Sequence, residues 1–330
     1  MFSLCISLAY SYLCRRFEDM ILEILIIIVC FAVVLWGADR FTDGACGLAR
    51  RLKVSELVIG LTVVSLGTSL PEFIVSFMSV LRGSGDMSVG NVMGSNIFNI
   101  LVIIGAAAIM RNIKVESSLL QRDIPICLAA SVLLCVFAYS GGSVARWEGM
   151  LLVLFFCGYL YLAYRVALKD RKEAQEETKS EEMSVLKILT LIVVGIAALV
   201  IGGRVLVDTA ASVAREWGVS ESVIGMTILA GGTSLPELAT SIMAARKGSF
   251  GLALGNVIGS NVFNIAFVIG LCSSVVPMVV TEITPLDWGM LIGSVALVWL
   301  VGFTSRKFCL WEGILLVLCY LSYLTWLIIR

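Results

Sequence analysis

There is no histidine anywhere in the 330 residues. That absence removes the commonest protein metal ligand and the commonest general base. The ten cysteines (5, 14, 30, 46, 127, 135, 157, 272, 309 and 319) contain no C-x-x-C pair. They are scattered, mostly in apolar runs, and read as small packing hydrophobes rather than a thiolate metal site. No charge of either sign is in excess, with 24 Lys+Arg against 24 Asp+Glu. Nucleic acid is therefore not an expected partner. The apolar stretch Met1–Cys14 has Arg15-Arg16 after it rather than before it, the reverse of a signal peptide. Residues 1–19 read as an N-terminal extension to a first helix starting near Met20.

Apolar sequence is what the chain has in abundance. It is 59% hydrophobic, with a mean hydropathy of +0.99, which points to a polytopic, all-α membrane protein. A membrane-crossing helix takes about 20 mostly apolar residues. Ten segments meet or approach that length: 20–38, 57–80, 89–110, 124–140, 148–168, 185–203, 223–244, 253–272, 287–303 and 311–329. One long polar stretch, Lys169–Met183, divides them. The expected organisation is a first five-helix unit at 20–168, a linker at 169–184 and a second five-helix unit at 185–330.

The two units are copies. Gly67-Thr68-Ser69-Leu70-Pro71-Glu72 returns 165 residues later as Gly232-Thr233-Ser234-Leu235-Pro236-Glu237. Residues 60–105 align with 225–270 without a gap and are identical at 23 of 46 positions. The block Gly90-Asn91-Val92-Met93-Gly94-Ser95-Asn96-Ile97-Phe98-Asn99 recurs as Gly255-Asn256-Val257-Ile258-Gly259-Ser260-Asn261-Val262-Phe263-Asn264. Weaker echoes lie outside these blocks: Gly37 and Asp43 answer Gly202 and Asp208, and Trp147-Glu148-Gly149 answers Trp311-Glu312-Gly313. Because each unit has an odd number of spans, homologous units must sit upside down to one another, as in many secondary transporters. With the N-terminus outside, 17 Lys/Arg fall on the inner side and 7 on the outer. That asymmetry predicts both termini outside and the linker in the cytoplasm.

Glu72 and Glu237 lie within apolar spans, where an ionised carboxylate costs several kcal/mol unless it is compensated. No Lys or Arg lies inside the four repeat spans away from their ends, so a mobile cation or a proton is the expected partner. Pro71 and Pro236 each remove a backbone hydrogen bond four residues back, at Gly67 and Gly232. The carbonyls freed by the break are expected around Ser65–Gly67 and Ala230–Gly232, which is tolerable at membrane depth only against a cavity or an ion. Helical spacing puts Thr68, Ser69 and Glu72 on one face, Ser95 and Asn99 on another, with Thr233, Ser234, Glu237, Ser260 and Asn264 as twins. These are all oxygen donors, suited to Na⁺ or Ca²⁺ and not to zinc or copper. Gly90, Gly94, Gly255 and Gly259 let helix backbones approach closely. Asn91, Asn96, Asn256 and Asn261 suit helix–helix hydrogen bonds as well as ion contact. Asp43 and Asp208, near span ends, read as solvated or capping.

Gly83-Ser84-Gly85-Asp86 resembles the Gly-x-Gly-Asp of intramembrane aspartyl proteases. Asp86 is expected in a short loop with no partner aspartate inside a span, which argues against an enzyme. A cation channel is a further alternative, separable by its lack of counter-ion dependence.

The twin Gly-Thr-Ser-Leu-Pro-Glu and Gly-Ser-Asn-x-Phe-Asn blocks resemble the alpha repeats of the sodium/calcium exchanger family of the calcium:cation antiporter superfamily, of the kind without a large regulatory domain. The resemblance implies ten transmembrane helices in two inverted repeats of five, with the first and sixth helices sliding across a four-helix core. It implies Glu72 and Glu237 as central cation ligands. It adds oxygens from Thr68, Ser69, Thr233, Ser234, Ser95, Ser260, Asn99 and Asn264, and backbone carbonyls of Ser65 and Ala230. Some relatives carry aspartate where this chain has Asn264. The implied activity is Na⁺/Ca²⁺ antiport in the cell's inner or plasma membrane, with no cofactor beyond the transported ions. Ca²⁺/H⁺ antiport through a protonatable glutamate is the alternative.

Overall fold

The computed structural model describes the backbone of residues 2–173, 183–218 and 230–329, and side chains over 20–139, 141–171, 183–218 and 231–329. Helix α1 spans Phe2–Leu52. It starts upstream of the expected Met20 and continues well past residue 38. Helix α2 is broken into α2a, Glu56–Thr68, and α2b, Leu70–Leu81, bent by 48°. Then come α3 (Gly85–Met110), α4 (Leu119–Tyr139) and α5 (Arg146–Glu173). The second half runs α6 (Val185–Glu216), α7a (Ala230–Thr233), α7b (Leu235–Lys247), α8 (Phe250–Val275), α9 (Pro285–Ser305) and α10 (Leu310–Ile329). The expected span 223–244 begins in residues 219–229, outside the described residues, as does most of the linker.

Burial sorts these helices into core and periphery. In α8, 94% of the apolar stretch is buried and in α3 72%, against 11% in α1 and 17% in α10. The peripheral helices therefore turn their Leu, Ile, Val and Phe side chains outward, as lipid requires. The buried centre is formed by α2, α3, α7b and α8.

Small residues set how closely the helices cross. Gly255 lies against the Leu57 carbonyl and Gly60, and Gly259 against the Leu61 carbonyl and the Ser65 hydroxyl, so α8 meets α2a backbone to backbone. A Cβ at Gly255 would come within 2.7 Å of Leu57 O. Gly90 and Gly94 show no such crossing among the described residues: an added Cβ would meet only Ile283 Cδ1 at 3.9 Å from Gly90 and nothing within 4 Å of Gly94. Between α1 and α6, Gly195 sits on Phe41 and Gly37 on Ala198. In the outer echo, Gly149 packs against Gly270 and Gly313 against Gly105. Its glutamates act alike: Glu148 accepts from Ala145 N and Glu312 from Cys309 N, both at 2.7 Å, each closing the first turn of its helix.

Two minimal antiparallel ladders join the halves. Strand β1 (Ile113–Lys114) and strand β4 (Lys307–Phe308) pair Ile113 with Phe308. Strand β2 (Ser143–Val144) and strand β3 (Met278–Val279) pair Val144 with Met278. The α3–α4 loop of one half thus pairs with the α9–α10 loop of the other, and the α4–α5 loop with the α8–α9 loop. Equivalent loops lie on opposite faces of the molecule, so the repeats are inverted.

Asp86 lies in the first turn of α3 rather than in a loop. It accepts from Thr281 N (2.8 Å), Glu282 N (3.0 Å) and Thr281 Oγ1 (3.1 Å). A carboxylate held in this way is a bracket on the α8–α9 loop. Asp43 pairs with Lys247 Nζ at 2.7 Å, as does Asp39, joining α1 to the end of α7b. Asp208 pairs with Arg204 at 3.7 Å.

Candidate cation site

Pro71 and Pro236 carry no N–H, so neither can bond to the carbonyl four residues back, and the helix breaks just before each. Ser69 (φ −85°, ψ 11°) and Ser234 (φ −87°, ψ 8°) leave the helical region in the same way. Thr68, Ser69 and Glu72 consequently do not share one unbroken helical face. Thr68 ends α2a, Ser69 sits in the break, and Glu72 lies in the first turn of α2b. Glu237 holds the same place in α7b. Each carboxylate is thus at the positive end of a helix dipole. The break does not free every expected carbonyl: Ser65 O still accepts from Ser69 N at 3.1 Å. Ala230 opens the described part of α7a.

The two carboxylates are completed crosswise. Ser69 Oγ donates to Glu237 Oε1 at 2.7 Å, and Ser234 Oγ donates to Glu72 Oε1 at 3.1 Å. Ser95 Oγ reaches the same Glu72 oxygen at 3.5 Å and lies 3.5 Å from Thr233 Oγ1. Thr68 Oγ1 lies 3.1 Å from both Val64 O and Asn256 Oδ1. Glu72, Glu237, Ser69, Ser234, Ser95, Ser260, Asn99 and Asn264 are all fully buried.

Eight buried side-chain oxygens have no hydrogen-bond partner among the described residues, and five of them belong to residues singled out from the repeat: Oε2 of Glu72, Oε2 of Glu237, Oγ of Ser260, and Oδ1 of Asn99 and Asn264. The other three are the hydroxyls of Ser88, Tyr159 and Thr240, outside that set. Among the described residues, none of the ion pairs reaches Glu72 or Glu237. Leaving buried carboxylate oxygens unmatched is costly, and a hard cation is the partner chemistry that oxygens of this kind accept. Among the described residues no three His, Cys, Asp or Glu are placed to hold a metal ion together. The site therefore offers two charges and several neutral oxygens.

The other repeat asparagines are engaged in holding helices. Asn91 Nδ2 reaches Ser76 Oγ (3.0 Å) and Glu72 O (3.4 Å), tying α3 to α2b. Asn256 Nδ2 does the same with Ser241 Oγ (2.9 Å) and Glu237 O (3.4 Å). Ser76 and Ser241 were not singled out from the sequence. Their signal was there, since both are among the positions identical in the two copies. Local π-helical turns at Asn99–Ile103 and Phe263–Ile269 occur at matched places in α3 and α8, a distortion common at functional sites.

An inverted repeat of broken helices, facing one another across paired buried carboxylates, defines a secondary transporter of cations. The sodium/calcium exchanger protein family model matches residues 22–165 and 187–329, and the chain belongs to that family. It is similar to the putative antiporter CaxA of Alkalimonas amylolytica, 38% identical over 79% of this chain and 83% of the relative. It is similar also to the sodium/calcium exchanger MaX1 of Methanosarcina acetivorans, 31% identical over 91% and 97%. A solved structure of the sodium-calcium exchanger NCX_Mj superposes with a TM-score of 0.80 at 30% identity, covering 93% of this chain and 99% of that one. The protein is an integral membrane Na⁺/Ca²⁺ exchanger or cation/Ca²⁺ antiporter.

Proposed function

We propose that the chain exchanges Na⁺ for Ca²⁺ by alternating access, with inward Na⁺ flow driving Ca²⁺ out of the cell. The observation that supports this reading is the crosswise pair Ser69–Glu237 and Ser234–Glu72, in which each glutamate keeps a second, unmatched oxygen. Two ionised carboxylates carry two negative charges, which one Ca²⁺ or two Na⁺ neutralise. Moving the site empty across the membrane is costly and moving it loaded is not, so transport is exchange rather than leak. In this reading Glu72 and Glu237 are the central ligands. Thr68, Ser69, Thr233, Ser234, Ser95, Ser260, Asn99, Asn264 and the carbonyls of Ser65 and Ala230 complete the shell. The chain is organised as the units 20–168 and 185–330, whose first helices, α1 and α6, slide across the four-helix core about this site, with the termini outside and the linker 169–184 in the cytoplasm. Inorganic cations and the bilayer are the partners, and no resident cofactor takes part.

The test is ⁴⁵Ca²⁺ uptake into reconstituted liposomes loaded with Na⁺ and diluted into Na⁺-free buffer. Uptake that follows the Na⁺ gradient is expected. Uptake indifferent to Na⁺ but driven by a pH gradient would replace sodium with protons as the counter-ion.

A further inference from the structure

Four asparagines, Asn96 and Asn99 on α3 and Asn261 and Asn264 on α8, meet at the centre of the molecule, all fully buried. An amide side chain donates at one end and accepts at the other, and only its partners decide which end points where. A backbone carbonyl can only accept. Asn261 Nδ2 lies 3.0 Å from Asn96 O, so the amino end of Asn261 is fixed there. Its Oδ1 therefore faces away and accepts from Asn99 Nδ2 at 3.1 Å. Asn99 in turn directs its own Oδ1 elsewhere, buried and without a partner among the described residues. The mirror relay has the same logic. Asn96 Nδ2 is fixed on Asn261 O at 3.1 Å, Asn96 Oδ1 accepts from Asn264 Nδ2 at 3.1 Å, and Asn264 Oδ1 is left unmatched.

We propose that Asn96 and Asn261 are positioning residues, a crossed clasp that turns the amides of Asn264 and Asn99 oxygen-inward so that the cation meets carbonyl oxygen rather than NH₂. The proposal rests on the reading of Asn99 and Asn264 as cation ligands. Both ends of Asn96 and of Asn261 are engaged by the opposite repeat, whereas Asn99 and Asn264 each keep an unpartnered oxygen among the described residues. Each relay crosses between the repeats: the second half sets a ligand of the first, and the first sets a ligand of the second. A flipped amide would present a positive dipole end to Ca²⁺, so the clasp acts on affinity and leaves the moving parts alone.

The experiment is a rescue series in Na⁺-gradient-driven ⁴⁵Ca²⁺ uptake, with size-exclusion profiles to confirm folded protein. Asn261→Leu keeps the branched four-atom skeleton and removes both hydrogen-bonding ends. It should raise KM for Ca²⁺ about tenfold with kcat changed by less than about threefold. Asn99→Asp, whose two carboxylate oxygens leave no wrong end, should make the added Asn261→Leu nearly silent. Asn264→Asp should not, because Asn96 sets that residue. In the mirror series Asn96→Leu should be relieved by Asn264→Asp and not by Asn99→Asp, and this arm serves if Asn261→Leu fails to fold. Equal relief by both aspartates overturns the clasp. So does an unchanged KM in Asn261→Leu when Asn99→Ala raises it. If Asn99→Ala itself leaves KM unchanged, the ligand assignment falls and the clasp with it.

Discussion

Ser69 donates to Glu237 across 2.7 Å although 168 residues separate them in the chain. The carboxylate of one repeat is therefore finished by the hydroxyl of the other, and neither half holds a complete site. Serine-to-alanine changes test this directly. Losing a hydrogen bond to a charged acceptor costs about 1.5–3 kcal/mol. Ser69→Ala and Ser234→Ala should each weaken Ca²⁺ binding by about tenfold or more, measured by isothermal calorimetry in detergent. A change confined to one of the pair would contradict the crosswise arrangement.

Glu72→Gln and Glu237→Gln keep size and shape and remove one charge each. Either change leaves the site one charge short for Ca²⁺. Each should abolish Na⁺-dependent ⁴⁵Ca²⁺ uptake while the protein still elutes as a single folded species. Full transport by either variant would remove both residues from the site.

Tyr323 and Tyr159 occupy matching places in α10 and α5, but only one has a job. Tyr323 OH donates to Asp287 Oδ1 at 2.7 Å, whereas Tyr159 OH is buried with no hydrogen-bond partner among the described residues. The difference is at Asp123, to which Arg122 donates through Nε at 2.9 Å and Nη2 at 2.8 Å. Tyr323→Phe should lower stability by about 1.5–3 kcal/mol, and Tyr159→Phe should leave Tm unchanged or raise it slightly. Thermal unfolding in detergent distinguishes the two.

The glycine crossings give a packing prediction. Gly255→Val drives a side chain into the Leu57 carbonyl and Gly60, so it should destabilise by about 1–3 kcal/mol or block folding. Gly293, with nothing within 4 Å of an added Cβ, should accept alanine without loss. Equal tolerance at both positions would mean that α2a and α8 are not in backbone contact.

Single cysteines in a cysteine-free background would report sidedness. Lys114 and Lys307 share one face through the β1–β4 ladder, while Val279, in the β2–β3 ladder, lies on the other. With the proposed orientation, an impermeant thiol reagent added to intact cells should label Val279→Cys and spare Lys114→Cys and Lys307→Cys. The opposite pattern would invert the topology.

Much of this was legible because the chain carries its own internal comparison. Glu72 and Glu237 stood out as charges in apolar spans, and the proline beside each marked the break. Hydropathy placed the spans but not the ends of the helices. The α1 helix runs on through Arg40, Asp43, Arg50 and Arg51, whose charges interrupt an apolar window without interrupting a helix. Helical spacing put Ser69 on a face with Glu72, but its partner proved to be Glu237 in the other half, which no periodicity within one helix can report. The same limit hid the asparagine clasp. Asn96 and Asn261 differ from Asn99 and Asn264 only in what faces them across the α3–α8 contact. Asp86 was misplaced because a Gly-Ser-Gly run reads as a loop, while its carboxylate is held at the start of α3 by a distant segment.

The two β ladders carry a consequence for how such a protein is made. Each is only two residues per strand, yet each takes one strand from either half, on opposite faces of the membrane. The first half leaves the ribosome with both of its strand edges unpaired and its carboxylate unfinished, and it must wait for the second. Expressed as separate polypeptides, the halves should be unstable alone and should recover together, like two hands that can clasp only each other.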